Sequence, residues 1–114
     1  MDAPLTLTCT TTSNVFYVPV PKKCKLAGAR WVANQNQAST RTVVIAKTGG
    51  NTIVSGSVDA TAGTVVDGTV TDTTADANQE IDTDETLTVT INFTGGTAAE
   101  VVMWLDLDEF ELTH

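Results

Sequence analysis

Few side chains in this 114-residue chain have the type and spacing that chemistry requires. Cys9 and Cys24 are the only thiols, and if oxidised they would close a loop of about 15 residues, worth roughly 3 kcal/mol without strain. In a chain with no basic-then-apolar leader they read instead as reduced core residues. They lack C-x-x-C spacing and have no histidine nearby, so zinc has no ligand set. His114 is the single histidine and the last residue, a poor general base with no second imidazole for a metal triad. Asp82-Thr83-Asp84-Glu85 and Asp106-Leu107-Asp108-Glu109 gather the hard oxygens that calcium takes. Neither has the glycine and loop layout of an EF-hand, and both read as solvated acids. A glycosidase pair needs two carboxylates facing across a cleft, with aromatic platforms for the sugar. The six aromatic residues here fall in several cases on expected core faces. Asn92-Phe93-Thr94 matches a glycosylation acceptor but lies inside a strand pattern. No catalytic, cofactor-binding or metal-ligating residue is assigned, and no enzymatic activity is expected.

The elements that must carry any binding surface are strands. Twenty-two threonines and fourteen valines, against seven leucines, favour extended backbone, and no apolar stripe supports a long helix. Period-two alternation recurs at Leu5, Leu7 and Cys9; at Ala27, Ala29, Trp31 and Ala33; and across 42–47 and 52–58, which form a hairpin around Thr48-Gly49-Gly50-Asn51. Small residues beside Trp31 imply something bulky packed over that face. Val65, Val66 and Val70 mark a short strand interrupted at Asp67-Gly68, and 75–80 has room for one helical turn. Leu87, Val89, Ile91 and Phe93 then alternate with polar residues, and Thr94-Gly95-Gly96-Thr97 leads into 99–107, which reads as a second hairpin with one buried face. The expectation is one all-β domain over 1–114, an antiparallel β-sandwich of seven to eight strands, jelly-roll rather than immunoglobulin-like. Pro19 and Pro21 demote 15–20 to an edge strand or an extended arm, so 1–25 is expected to be partly an N-terminal arm.

Charge is distributed unevenly along the chain. The net charge is −8, yet all six basic residues fall between Lys22 and Lys47, and thirteen of the fourteen carboxylates follow position 48. Such an acidic excess repels phosphate backbones, so no direct nucleic-acid contact is expected. No apolar run approaches the roughly 20 residues that cross a bilayer, so no membrane association is expected. The asymmetry suggests contact between neighbouring copies or with a partner, with Lys22, Lys23 and Lys25 setting orientation and Phe16, Tyr17 and Trp104 supplying apolar energy.

An apolar extended start, Gly28-Ala29-Arg30-Trp31, a T-G-G hairpin, a Thr/Ala/Asp stretch and the strand Asp84-Glu85-Thr86-Leu87-Thr88-Val89-Thr90-Ile91 together resemble the small β-sandwich decoration, or cement, proteins of tailed bacteriophage heads. The likeness spans about residues 20–107 and rests on rhythm and composition. Relatives often place a glycine beside the acid before the last "TLTVTI"-like strand, whereas Asp84-Glu85 has none. The resemblance implies a non-enzymatic protein without cofactor. It would be made in the host cytoplasm and sit on the outer capsid surface of the virion as a homo-oligomer, trimer or dimer, bridging subunits of the major capsid protein. The alternative reading is a glycan- or cell-surface-binding module of a tail fibre or adhesin.

Overall fold

In the computed structural model the described residues are 2–20, 23–37, 41–70, 80–82, 85–93 and 97–109, the side chains of 2–4, 93 and 109 excepted. The strands are β1 (Asp2–Cys9), β2 (Asn14–Pro19), β3 (Cys24–Ala33), β4 (Arg41–Lys47), β5 (Thr52–Val58), β6 (Val66–Asp67), β7 (Thr69–Val70), β8 (Glu80–Ile81), β9 (Thr86–Phe93) and β10 (Ala99–Glu109). That is ten rather than seven to eight, the excess coming from the two-residue ladders β6, β7 and β8. Sheet I has the order β1-β10-β3-β6, with β8 also on β3, and sheet II has the order β2-β9-β4-β5-β7. Every pairing is antiparallel. Successive strands alternate between the sheets except at the β4–β5 hairpin, which is the expected jelly-roll arrangement.

The alternation becomes a core because side chains two apart share a sheet face. Leu7, Val101, Met103, Leu105 and Trp31 of sheet I and Val43, Ile45, Leu87, Val89 and Ile91 of sheet II are all buried in one cluster. The hairpin expected over 86–107 is not formed: β9 lies in sheet II and β10 in sheet I. Alternation specifies which side of a strand is buried, and that demand is met equally by a neighbour beside it or a sheet opposite it. Residues 94–98 join the two strands, and the gap between packed sheets is only about 10 Å. Phe93's side chain, residues 94–96 of the turn expected at 94–97, residues 75–79 of the helical turn expected at 75–80 and His114 lie outside the described residues, and Glu80 belongs to β8.

Residues 2–19 are bonded into their own domain, β1 along β10 and β2 along β9, each as an edge strand. Trp31 is buried and donates its indole N–H across the sandwich to the Ser57 carbonyl at 3.0 Å. Instead of a bulky partner, the sheet opposite offers glycines. A Cβ on Gly56 would lie 2.8 Å from Trp31 Cζ2, and one on Gly68 would overlap Val54 and come within 2.8 Å of Trp31 Cη2. Gly68 is also the corner where the chain leaves β6 in sheet I for β7 in sheet II, with its N–H bonded to the Ala29 carbonyl at 2.7 Å. Cys9 and Cys24 sit opposite Ala99 and Glu109 at the two ends of β10. Ten residues of strand separate them, about 33 Å, against the roughly 7 Å a disulfide allows. Both are buried and neither is in a disulfide.

Gly68→Ala should lower stability by about 1–3 kcal/mol in equilibrium urea unfolding, because the added methyl meets a tightly held indole. Both cysteines should react with a thiol reagent only after denaturation, and reductant should leave the melting temperature unchanged.

Candidate functional site

The outward face of sheet I carries a concentrated apolar surface. The ladder between β10 and β3 sets Trp104 opposite Arg30 and Val102 opposite Val32. The Arg30 guanidinium carbon lies 5.5 Å from the centroid of the Trp104 ring, a cation–π contact that holds the half-buried indole in place. Val102 is 41% exposed, and Val65, just before β6, is 58% exposed. These five residues, with Trp31, border a shallow hollow of about 150 Å³. A longer groove of about 320 Å³ adjoins it, bordered by Gly28, Arg30, Asp67, Trp104 and Asp106. Its floor follows from the ladder irregularity at Asp106/Leu107, where Ala27 is extra between paired Gly28 and Leu26. Gly28 leaves that floor bare, since a Cβ there would meet no atom within 4 Å.

The outward face of sheet II differs in kind. Thr88 and Thr90 of β9, Val44 of β4 and Ser55 of β5 lie outward in register with Tyr17 and Val15 of β2, and none of these is charged at neutral pH. Val15 is 50% and Tyr17 67% exposed, whereas Phe16 turns inward, half-buried against the core.

The lysines sit at one end of the sandwich and meet the acids of the chain's second half. Lys23 lies 3.8 Å from Asp82 and Lys47 3.7 Å from Glu85, while Lys25 stands opposite Asp108 on one side and Glu80 on the other. Lys22 lies outside the described residues. The expected contact residues therefore occupy three surfaces: Phe16 and Tyr17 at the sheet II edge, Lys23 and Lys25 at one end, and Trp104 on the sheet I face. They form no single site. The sequence reading did not include Arg30, Val32, Val65 and Val102, although Arg30 and Val32 alternate with inward Trp31. The β3–β10 register brings Arg30 and Val32 beside Trp104, Val102 shares the strand face of Trp104, and Val65 arrives through the pairing of β6 with β3.

The opposite end is tied together by Arg41, a fully buried cation on the inner side of β4. It donates from Nε to Gln37 Oε1 at 2.8 Å and from Nη2 to the carbonyls of Thr10 at 2.7 Å and Thr97 at 2.8 Å. Gln37 Oε1 also accepts the Thr97 N–H at 3.2 Å, and the Gln37 N–H reaches the Ala60 carbonyl at 2.9 Å. Three connecting segments, after β1, β3 and β9, thus meet at one guanidinium, and the segment after β5 is tied in through the Gln37 backbone N–H. Burial pulls the Arg41 pKa below its usual value, with Cys9 acting in the other direction. Burial likewise pushes the Cys9 thiol up, with Arg41 opposing. A raised thiol pKa in a buried setting leaves little thiolate at neutral pH, so the pair reads as structural rather than nucleophilic.

Lysine cannot copy the planar fork that reaches three oxygens. Arg41→Lys should therefore cost at least about 1.5 kcal/mol in urea unfolding, the value of one hydrogen bond to a charged group. In comparisons with known proteins, no family model, curated protein or solved structure matched the chain, so the functional reading rests on this geometry and on the sequence resemblance.

Proposed function

We propose that this chain is a non-enzymatic capsid decoration protein that binds the outer surface of a phage head and holds neighbouring major capsid subunits together. The observation that carries the docking role is the outward face of sheet I, where Val65 and Val102 stand exposed around the Trp104–Arg30 pair. Apolar residues clustered around a tryptophan and an arginine, on a rigid sheet with a polar surround, have the composition of an interface centre. The choice of a capsid as partner comes from the resemblance of residues 20–107 to cement proteins. A lattice suits such a patch, because a modest contact repeated over many equivalent positions gains through multivalency. The lysines contribute less to this reading than their clustering in sequence suggests, since exposed ion pairs such as Lys23–Asp82 are worth little.

A second reading, a glycan- or cell-surface-binding module, is favoured by the groove beside Trp104. There Asp67, Asp106 and Arg30 offer hydrogen-bonding groups next to an aromatic ring. Purified protein added to heads that lack it separates the two. Wild type should bind the heads, and Trp104→Ala should reduce affinity at least tenfold, the scale of an interface hot spot of about 2 kcal/mol. Lys23→Glu with Lys25→Glu should change affinity much less. Binding to a glycan array with no attachment to heads would replace the first reading with the second.

A further inference from the structure

We propose that β2 pairs edge to edge with β2 of a second copy about a two-fold axis, so that sheet II of two protomers becomes one continuous antiparallel sheet. An open edge is a row of unpaired N–H and C=O groups, and proteins that stay monomeric blunt such edges with proline, charge, shortness or cover. Among the described residues the other terminal strands are blunted. β1 carries Pro4, which has no N–H to offer, while β6, β7 and β8 are two residues long. β2 is six residues long and uncharged, and it has no proline before its last position, Pro19. Among the described residues its ladder bonds run to β9 alone.

Charge argues that the occupant is a second copy of this chain. A two-fold contact sets each surface against itself, so any charge near the axis faces its like, which is severe for a protein of net charge −8. The β1 edge borders Glu100 and Asp106, which point outward from β10. The β2 edge borders Thr86, Thr88 and Thr90 of β9. Among the described residues it is a long edge whose bordering row carries no charge. Pairing there also covers exposed Val15 and Tyr17 with their counterparts, since residues of one parity share a face across an antiparallel ladder. The arrangement closes at two copies, because each β2 has one open edge. It does not depend on the capsid reading.

Sedimentation equilibrium of the full chain should give a dimer. Val15→Lys with Tyr17→Lys changes two outward side chains and places like charges across the axis. It should raise the dimer dissociation constant at least tenfold, about 1.4 kcal/mol or more, with the circular dichroism spectrum and melting of the folded monomer retained. Mixing that variant with Val15→Glu/Tyr17→Glu should restore a heterodimer. On the unmodified protein, hydrogen exchange at the amides of 15–18 should slow as concentration rises, a readout independent of any variant. A wild-type monomer, a trimer, a dimer indifferent to both substitutions, or exchange at 15–18 that does not vary with concentration would overturn the proposal.

Discussion

Among the described residues no ladder pairing joins the two sheets, so the sandwich is held by what passes between their inner faces, and Trp31 is a side chain that crosses. Its indole leaves β3, fits against Gly56 and Gly68, and donates to the Ser57 carbonyl. Bulk on one sheet and its absence on the other are thus one feature. The corner at Gly68 depends on the same fit, because the chain can change sheets there only by passing close to the indole. A buried polar group with a partner costs little, whereas one without costs far more, and the Trp31 N–H is satisfied by a carbonyl that the opposite sheet directs at it. At one end of the sandwich Arg41 does comparable work for the connections, drawing three segments onto one guanidinium while Gln37 ties in a fourth. Amides that look like loop polarity in sequence become the internal partners of a buried cation.

The jelly-roll topology also decides where charge lies. Chain order separates cations from anions, but β3 runs between acidic β10 and the short β8, and β4 begins near one end and finishes near the other. The result is a mixed end where Lys23, Lys25 and Lys47 meet Asp82, Asp108, Glu80 and Glu85, and, among the described residues, a sheet II face with no charge in its central rows. For an acidic protein that uncharged face is a more specific statement than the net charge. The described acids lie on the sheet I face and at the ends, which leaves sheet II to present valine, threonine and tyrosine.

Two surfaces with different chemistry follow from one sandwich. The sheet I face offers an indole steadied by Arg30 beside exposed valines, a surface suited to a dissimilar partner. The β2 edge offers backbone hydrogen-bonding groups and no charge, a surface suited to an identical one. Tyr17 and Trp104 lie on different sheets of the molecule, so a contact at one surface leaves the other open.

Alternation of threonine with valine, leucine and isoleucine determined the strands, their buried sides and the sandwich class, because a period of two is a local property of extended backbone. The β4–β5 hairpin was equally legible, since Gly49 takes the positive φ of 78° that such a turn uses. The partners of those strands were not legible. Leu87, Val89 and Ile91 require an apolar surface opposite them, and only packing of the whole chain decides whether β10 supplies it from beside or from across the layer. The same holds for the site: Trp104, Arg30 and Val65 come from three distant segments, and the register between strands, set by long-range pairing, brings them to one face. Sequence determined which side of each strand is wet, and tertiary structure decided which wet sides meet, because side-chain period is local while strand pairing is not.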